Sequence, residues 1–155
     1  MNTAIFDTIN QHHQKYRSSC SPSLAEMLLK LAGAVPLDYY AEQDRDQNQN
    51  VGLKNIENKT IKGITFRKYK PQDEGKSLQQ KIDEELSKGR FLGIYLPLGG
   101  EYHSFVIAGK VNQEYVLLSK YSELGNDEGK QTIENYIPSH LIPGLERFDI
   151  IYYEK

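Results

Sequence analysis

Apolar residues recur at helical spacing in the first third of the chain. Between residues 4 and 16 they predict a short polar helix. The next helix has a clearer pattern. Its apolar residues form one stripe at i, i+3, i+4, i+7 and i+8, namely Leu24, Met27, Leu28, Leu31 and Ala32. The Ser21 hydroxyl followed by Pro22 is typical of a helix start, and Gly33 of a helix end. We expect this second helix to lie in the core.

Beyond residue 60 the pattern becomes typical of strands. Alternating or compact apolar runs predict strands over Ile61 to Tyr69, Phe91 to Leu96, His103 to Lys110, Glu114 to Lys120 and Phe148 to Tyr153. One helix interrupts them, from a capping box at Ser77 and Gln80 to Gly89. A turn at Asn112 and Gln113 predicts that the two strands beside it form a hairpin.

Three stretches lack a clear period. The run from Glu42 to Thr60 is polar and rich in Asn and Gln, and we expect an exposed loop that has room for one helical turn and to which we assign no chemistry. Residues 122 to 131 are expected to form a second polar loop, and the segment Ile137 to Pro143 follows it, bracketed by prolines. Because helices precede mostly antiparallel strands, the order of elements predicts an α+β fold. In this fold the Cys-bearing core helix packs on a C-terminal sheet.

The composition narrows the class of protein. With 155 residues the chain fits one domain, spanning residues 1–155, and such a domain can bury roughly 70% of its surface without a disulfide or metal. A net charge of −2 gives no sign of nucleic acid binding. No apolar run approaches the ~20 residues of a membrane span, and no signal peptide pattern is visible. We therefore expect no membrane insertion and a cytoplasmic location, with secretion as an effector only by a route that needs no signal peptide.

The single cysteine, Cys20, lies just before the predicted start of the core helix. Backbone N–H groups and the positive end of the helix dipole favour a thiolate at such a position, and a thiolate is a nucleophile. Alternatively, Cys20 is a small buried apolar residue, the commoner role of a lone cysteine. Its polar neighbours, residues 16–23, favour the reactive role. One cysteine and scattered histidines offer no zinc-binding spacing, so we expect no metal and no cofactor.

A thiol nucleophile needs a base, and the chain has four histidines. His103 follows Gly99 and Gly100 at the start of a predicted strand, where its ring would emerge at the end of the sheet near a helix N-terminus. An ordinary histidine at a strand end is the alternative interpretation. Surface or local structural roles are expected for the other three, His12, His13 and His140.

Three sequence features occur in a fixed order. Gln14 precedes Cys20 by six residues, and Cys20 begins a Cys-Ser-Pro run that leads into the apolar helix ending at Gly33. The stretch from Leu78 to Gly109 predicts a helix, a buried strand and a hairpin strand that begins with His103. Together these features resemble the papain-like cysteine peptidases, most closely the bacteriocin-processing branch that cuts after glycine pairs. The resemblance extends over nearly the whole chain.

The resemblance implies a role for each of these residues. Cys20 would attack an acyl carbon, and His103 would take the thiol proton and later return one to the leaving group. The Gln14 amide and the Cys20 backbone N–H would stabilise the oxyanion. The chain would then be a thiol-dependent hydrolase of peptide or amide bonds with a papain-like fold, acting on a peptide or protein substrate.

Two positions depart from the family pattern. Ser21 stands where the family has glycine after its cysteine. The family also carries an Asp or Asn on the return strand of the hairpin to orient the imidazole, and the corresponding residue is Ser119, sixteen positions after His103. Ser119 has no charge with which to stabilise an imidazolium. Other residues that could orient the ring are Asn112, Ser122, Asn126 and Asp127.

These departures leave two further functions open. Without an acid behind His103, the chain could be a catalytically degenerate papain-like module that binds a peptide or protein in its cleft. The same fold is also used by deamidases and acyltransferases, some of them secreted effectors.

Overall fold

The structure is a computed structural model that describes residues 2–16, 18–47, 52–121 and 130–155. Its helices are α1 (Thr3–Gln11), α2 (Cys20–Leu31), α3 (Ala41–Arg45), α4 (Pro71–Glu74), α5 (Leu78–Ser87) and a 3-10 helix (Ser139–Arg147). Its strands are β1 (Thr60–Ile61), β2 (Ile64–Lys68), β3 (Leu92–Leu98), β4 (Glu101–Val111), β5 (Glu114–Tyr121), β6 (Gln131–Pro138) and β7 (Ile150–Glu154).

Within the described residues the strands form one seven-stranded antiparallel sheet in the order β1-β2-β7-β3-β4-β5-β6. β7, the last strand along the chain, lies inside the sheet, where Tyr153 pairs with Phe66 of β2 and Ile151 with Gly93 of β3. The sequence-based prediction of an α+β fold is therefore confirmed.

Each face of the sheet carries its own hydrophobic core. The face toward α2, here called the α2 face, packs against this helix through Leu24, Leu28, Phe66, Val106, Leu118 and Tyr153. The opposite face, here called the α5 face, packs against α5 and the 3-10 helix through Leu78, Ile82, Ile94, Phe105, Ile107 and Ile142. Because strand side chains alternate, neighbouring positions along β3 and β4 belong to opposite cores.

The helix α2 lies very close to the backbone of β3. A Cβ atom placed on Gly93 would stand 2.6 Å from Leu24 Cδ2, a distance that real Cβ atoms do not show. Any side chain at position 93 would therefore force Leu24 to move. Since Leu24 lies one turn beyond Cys20, the contact also holds the start of α2 against the sheet.

The start of α2 differs from the prediction. The helix begins at Cys20 with Ser19 as its N-cap residue, and Ser21 does not cap it. The Ser21 hydroxyl donates instead to the carbonyl of Gly52, a tertiary contact that the local pattern could not reveal. The predicted end is confirmed, because Gly33 adopts a left-handed conformation with φ of 71°.

Other element boundaries likewise agree with the prediction in some places and differ in others. α1 ends at Gln11 because His12 is already extended, with φ of −76° and ψ of 156°. The capping box at Ser77 and Gln80 is confirmed. The hairpin is confirmed too, and both turn residues have positive φ, as a tight two-residue turn requires. Among the described helices, none combines the length and apolar character needed to cross a membrane.

The prediction that the polar run from Glu42 to Thr60 is exposed is wrong, although α3 supplies the helical turn expected there. Gln43 is fully buried, and Leu53 and Ile56 join the α2-face core. Polar residues can be buried there because they bond to one another and to backbone groups. Residues 122–129 of the second predicted polar loop lie outside the described residues. Strand β6 was not predicted, although it pairs with β5 along its whole length. It lies at the edge of the sheet with only half-buried and exposed residues, so its apolar signal is weak.

Candidate active site

Cys20 is the first residue of α2 and is 7% exposed. The hydroxyl of Tyr95, on the neighbouring β3, is a hydrogen-bond partner of its sulfur. Burial, followed by the nearby Cys20 sulfur, raises the pKa of Tyr95 to about 12. The phenol therefore keeps its proton at neutral pH and can donate it to the sulfur in a hydrogen bond.

His103 lies on β4 at the same end of the sheet. It pairs with Leu96 of β3, one position along from the pair formed by Tyr95 and Ser104. Its Nε2 lies 2.8 Å from the backbone carbonyl oxygen of Lys120. A carbonyl can only accept a hydrogen bond, so Nε2 carries the proton and Nδ1 keeps its lone pair.

The His103 ring is buried, at 8% exposure. Burial lowers the pKa of this imidazole, and the Lys120 carbonyl and the Glu101 carboxylate oppose the change without reversing it. The ring is therefore neutral at neutral pH, the form that a general base requires.

Side chains bridge a gap between β4 and β5 near this ring. The regular pairing of the two strands starts at Val106 and Leu118. Beyond it, the Ser119 hydroxyl donates to the carbonyl of Ser104, and His103 donates to the carbonyl of Lys120. The buried Lys120 ammonium donates to the backbone carbonyls of Asn10 and Lys130 and to the hydroxyl of Thr132. These three bonds hold Lys120 in place.

These contacts bear on the residues predicted to orient the imidazole. Ser119 bonds to the β4 backbone, and a backbone carbonyl takes the position beside the ring. Asn112 lies in the turn at the far end of β4, away from His103. The remaining candidates, Ser122, Asn126 and Asp127, lie outside the described residues.

In the structure the hydrogen-bond partner of Cys20 is Tyr95, and that of His103 is the carbonyl of Lys120. Alternation along β4 gives His103 the α5 face, where its ring packs edge-on against Phe105 at 5.9 Å between centroids. Tyr95 and Cys20 lie on the α2 face. The two predicted catalytic residues therefore approach the same end of the sheet from its two sides.

Gln14 lies in the segment of residues 12–19 that joins α1 to α2, and it is 6% exposed. Its Nε2 donates to the carbonyl oxygen of Tyr16 at 2.9 Å. The hydroxyl of Ser19, the residue before Cys20, donates to the same oxygen at 2.9 Å. Both predicted oxyanion groups, the Gln14 amide and the backbone at Cys20, are thus held by one short loop.

Sequence reasoning missed a cluster of buried polar residues beside this loop. We call it the helix-side cluster, and it consists of His12, Glu26, Lys30 and Gln43. Of the two roles predicted for His12, the surface one is wrong, because the residue is 1% exposed; its nitrogens lie 2.9 Å from Ser23 Oγ and 2.8 Å from Lys30 Nζ, so its role is structural. The one signal in the sequence is the pair Glu26 and Lys30, four residues apart and the two charged residues of α2.

Burial favours the neutral forms of three side chains in this cluster. It lowers the pKa of His12, lowers the pKa of Lys30 to about 8 and raises the pKa of Glu26 to about 7. His140 is exposed, and the half-buried His13 bonds to the Tyr40 hydroxyl at 3.1 Å.

Comparisons with protein-family models, with curated proteins and with solved structures gave no match to this chain. The residues of the site offer a thiol at a helix N-terminus, a neutral imidazole with a fixed tautomer and a buried amide on the loop that precedes that helix. This combination fits acyl transfer through a covalent thioester.

Proposed function

We propose that the chain is a thiol-dependent hydrolase of peptide or amide bonds with a papain-like fold. The observation that supports this most directly is the hydrogen bond from His103 Nε2 to the Lys120 carbonyl. This bond fixes the ring in the tautomer that a base needs. In the family pattern an Asp or Asn at position 119 would do this, and here that position is a serine. A backbone carbonyl carries no charge, so it orients the ring but stabilises an imidazolium less than a carboxylate does.

In this proposal Nδ1 of His103 removes the Cys20 proton, and the sulfur attacks the acyl carbon. The Gln14 amide and the Cys20 N–H stabilise the oxyanion, and His103 protonates the leaving amine. Water then cleaves the thioester and releases the acid. For the first step, Nδ1 of His103 must reach past the end of β4 to the sulfur at the start of α2.

The test compares proteomes treated with four purified chains: wild type, Cys20→Ala, His103→Ala and His140→Ala. Mass spectrometry would record new peptide N-termini and deamidated Gln or Asn. We expect the wild type and the His140→Ala control, which changes an exposed histidine, to give the same products. The Cys20→Ala and His103→Ala chains should give none. Identical results from all four would refute the hydrolase.

A second candidate is a non-catalytic module that binds a peptide. The placement of His103 on the α5 face and of Cys20 on the α2 face supports it, because a thiol and its base normally share one cleft. Binding of the wild type and of Cys20→Ala to a peptide array would test this function. Equal binding, together with identical proteomes, would favour it.

A further inference from the structure

Gln43 is a fully buried glutamine in the middle of α3. Nothing in the polar run around it suggests a role. Its side-chain amide nevertheless makes four hydrogen bonds, and they reach the loop between α1 and α2 as well as α2 itself. Such a group fixes the relative positions of the segments that it joins.

Two of these bonds are made to the residues on either side of Gln14. The Gln43 amide nitrogen donates to the carbonyl of His13 at 3.0 Å. The Gln43 carbonyl oxygen accepts from the backbone N–H of Lys15 at 2.8 Å. The backbone of Gln14 is thus held from both neighbours by one side chain, much as a strand is held by its partner.

The other two bonds extend this contact to the nucleophile. The Ser19 hydroxyl, one residue before Cys20, lies 2.7 Å from the Gln43 carbonyl oxygen and shares its single proton between this oxygen and the Tyr16 carbonyl. The Gln43 amide nitrogen donates to Glu26 Oε1 on α2 at 2.7 Å. Glu26 Oε2 in turn accepts from the backbone N–H groups of Glu42 and Gln43 at 3.0 Å each, so Gln43 is itself anchored to the nucleophile helix.

We propose that Gln43 is a positioning residue that holds Gln14 and the start of α2 in the geometry needed for oxyanion stabilisation. This inference rests on the proposed function. It assigns a role to a segment far from the nucleophile in sequence, and it explains why a polar residue there is completely buried.

The test uses two thiol reagents that differ in their need for an oxyanion site. With p-nitrophenyl acetate, an S–C bond forms at the ester carbonyl, the ester C–O bond breaks and p-nitrophenolate leaves; water then hydrolyses the thioester. With iodoacetamide, an S–C bond forms, iodide leaves and no oxyanion arises. The ratio of the acylation rate to the alkylation rate therefore reports the oxyanion site, and a change in the exposure of Cys20 largely cancels.

We expect Gln14→Ala to lower this ratio by on the order of 10²-fold, as for the loss of one oxyanion donor. Gln43→Ala should lower it at least ~10-fold, because a slightly misplaced donor loses much of its effect. If Gln43 acts through Gln14, the double variant should be no worse than Gln14→Ala alone. The matched control, Gln80→Ala in the exposed capping box of α5, should keep the wild-type ratio.

An unchanged ratio in folded Gln43→Ala, with a reduced ratio in Gln14→Ala, would overturn this inference and leave the hydrolase standing. Should Gln43→Ala fail to fold, Gln43→Met decides, because it fills a similar buried volume, loses the acceptor for Lys15 and the donor to His13, and sets no second carboxyl beside Glu26. A wild-type ratio in that variant overturns the inference, and a reduced one supports it. If wild type and Cys20→Ala release p-nitrophenolate equally, both proposals fail.

Discussion

The two buried histidines of this protein are held in different ways. Within the part of the chain that the structure describes, the hydrogen bonds of His12, in the helix-side cluster, are made to the side chains of Ser23 and Lys30. His103 bonds to a backbone carbonyl, in a group that we call the strand-side cluster: His103, Ser119 and Lys120. A partner supplied by the backbone is present whatever residue occupies the position. A partner supplied by a side chain is lost with a single substitution, so the helix-side cluster should be the more fragile of the two.

The strongest test of this difference is Glu26→Ala. It removes the acceptor for the Gln43 amide and for two backbone N–H groups, all of them buried. We expect the free energy of unfolding to fall by about 3–5 kcal/mol, as measured by urea denaturation. Glu84→Ala, a control at a more exposed carboxylate that pairs with two lysines, should lower it by only a small fraction of that amount. Equal losses in the two variants would show that the helix-side cluster is not special.

Ser119→Ala tests the strand-side cluster and should have a smaller effect. It leaves the buried Ser104 carbonyl without the Ser119 hydroxyl, while the bond from His103 to the Lys120 carbonyl persists. A loss of about 1–3 kcal/mol is expected in the same urea experiment. Ser139→Ala removes an exposed bond to the Gln113 carbonyl and serves as the control, with a loss of less than about 0.5 kcal/mol. A larger loss for Ser119→Ala than for Glu26→Ala would reverse the comparison.

The smallest expected difference between the two clusters is in how their stability depends on pH. Burial lowers the pKa of His103 below 6.5, so the stability linked to this ring is lost as pH falls below 6.5. Burial raises the pKa of Glu26 from 4.5 to about 7, so the stability linked to this carboxyl is lost as pH rises through that range. His12 shifts in the same direction as His103, and it offsets Glu26 within the helix-side cluster.

Urea unfolding between pH 5 and 7 would measure these opposite slopes. We expect His103→Gln to flatten the rise of stability with pH and Glu26→Gln to steepen it. Each change should be at most about 1.4 kcal/mol per pH unit, the limit for one proton. Slopes that change in the same direction would contradict the assigned shifts.

The sequence predicts those parts of the fold that depend on local pattern. The stripe from Leu24 to Leu31 is long and regular enough to mark a core helix, and the turn at Asn112 and Gln113 sets the register of its hairpin. Strand β6 escapes such a prediction because an edge strand buries few side chains and leaves little alternation to detect.

For the candidate site, residue type and spacing are enough to single out Cys20, Gln14 and His103. Neither of the groups that hold them can be predicted in this way. The acceptor at Lys120 is a backbone atom, which leaves no trace in the residue type. Gln43 lies within a polar run, and its bonds reach residues 13 to 26, too far along the chain for any local periodicity to reveal.

The position of β7 inside the sheet has a consequence for how the chain folds. This strand joins β2 to β3, through pairs such as Phe66 with Tyr153 and Gly93 with Ile151, and every other described strand precedes it along the chain. Until it docks, β1–β2 and β3–β6 are separate ribbons with open edges. Sheet closure therefore depends on contacts between residues distant in sequence, which slow folding and leave strand edges exposed to association with other chains.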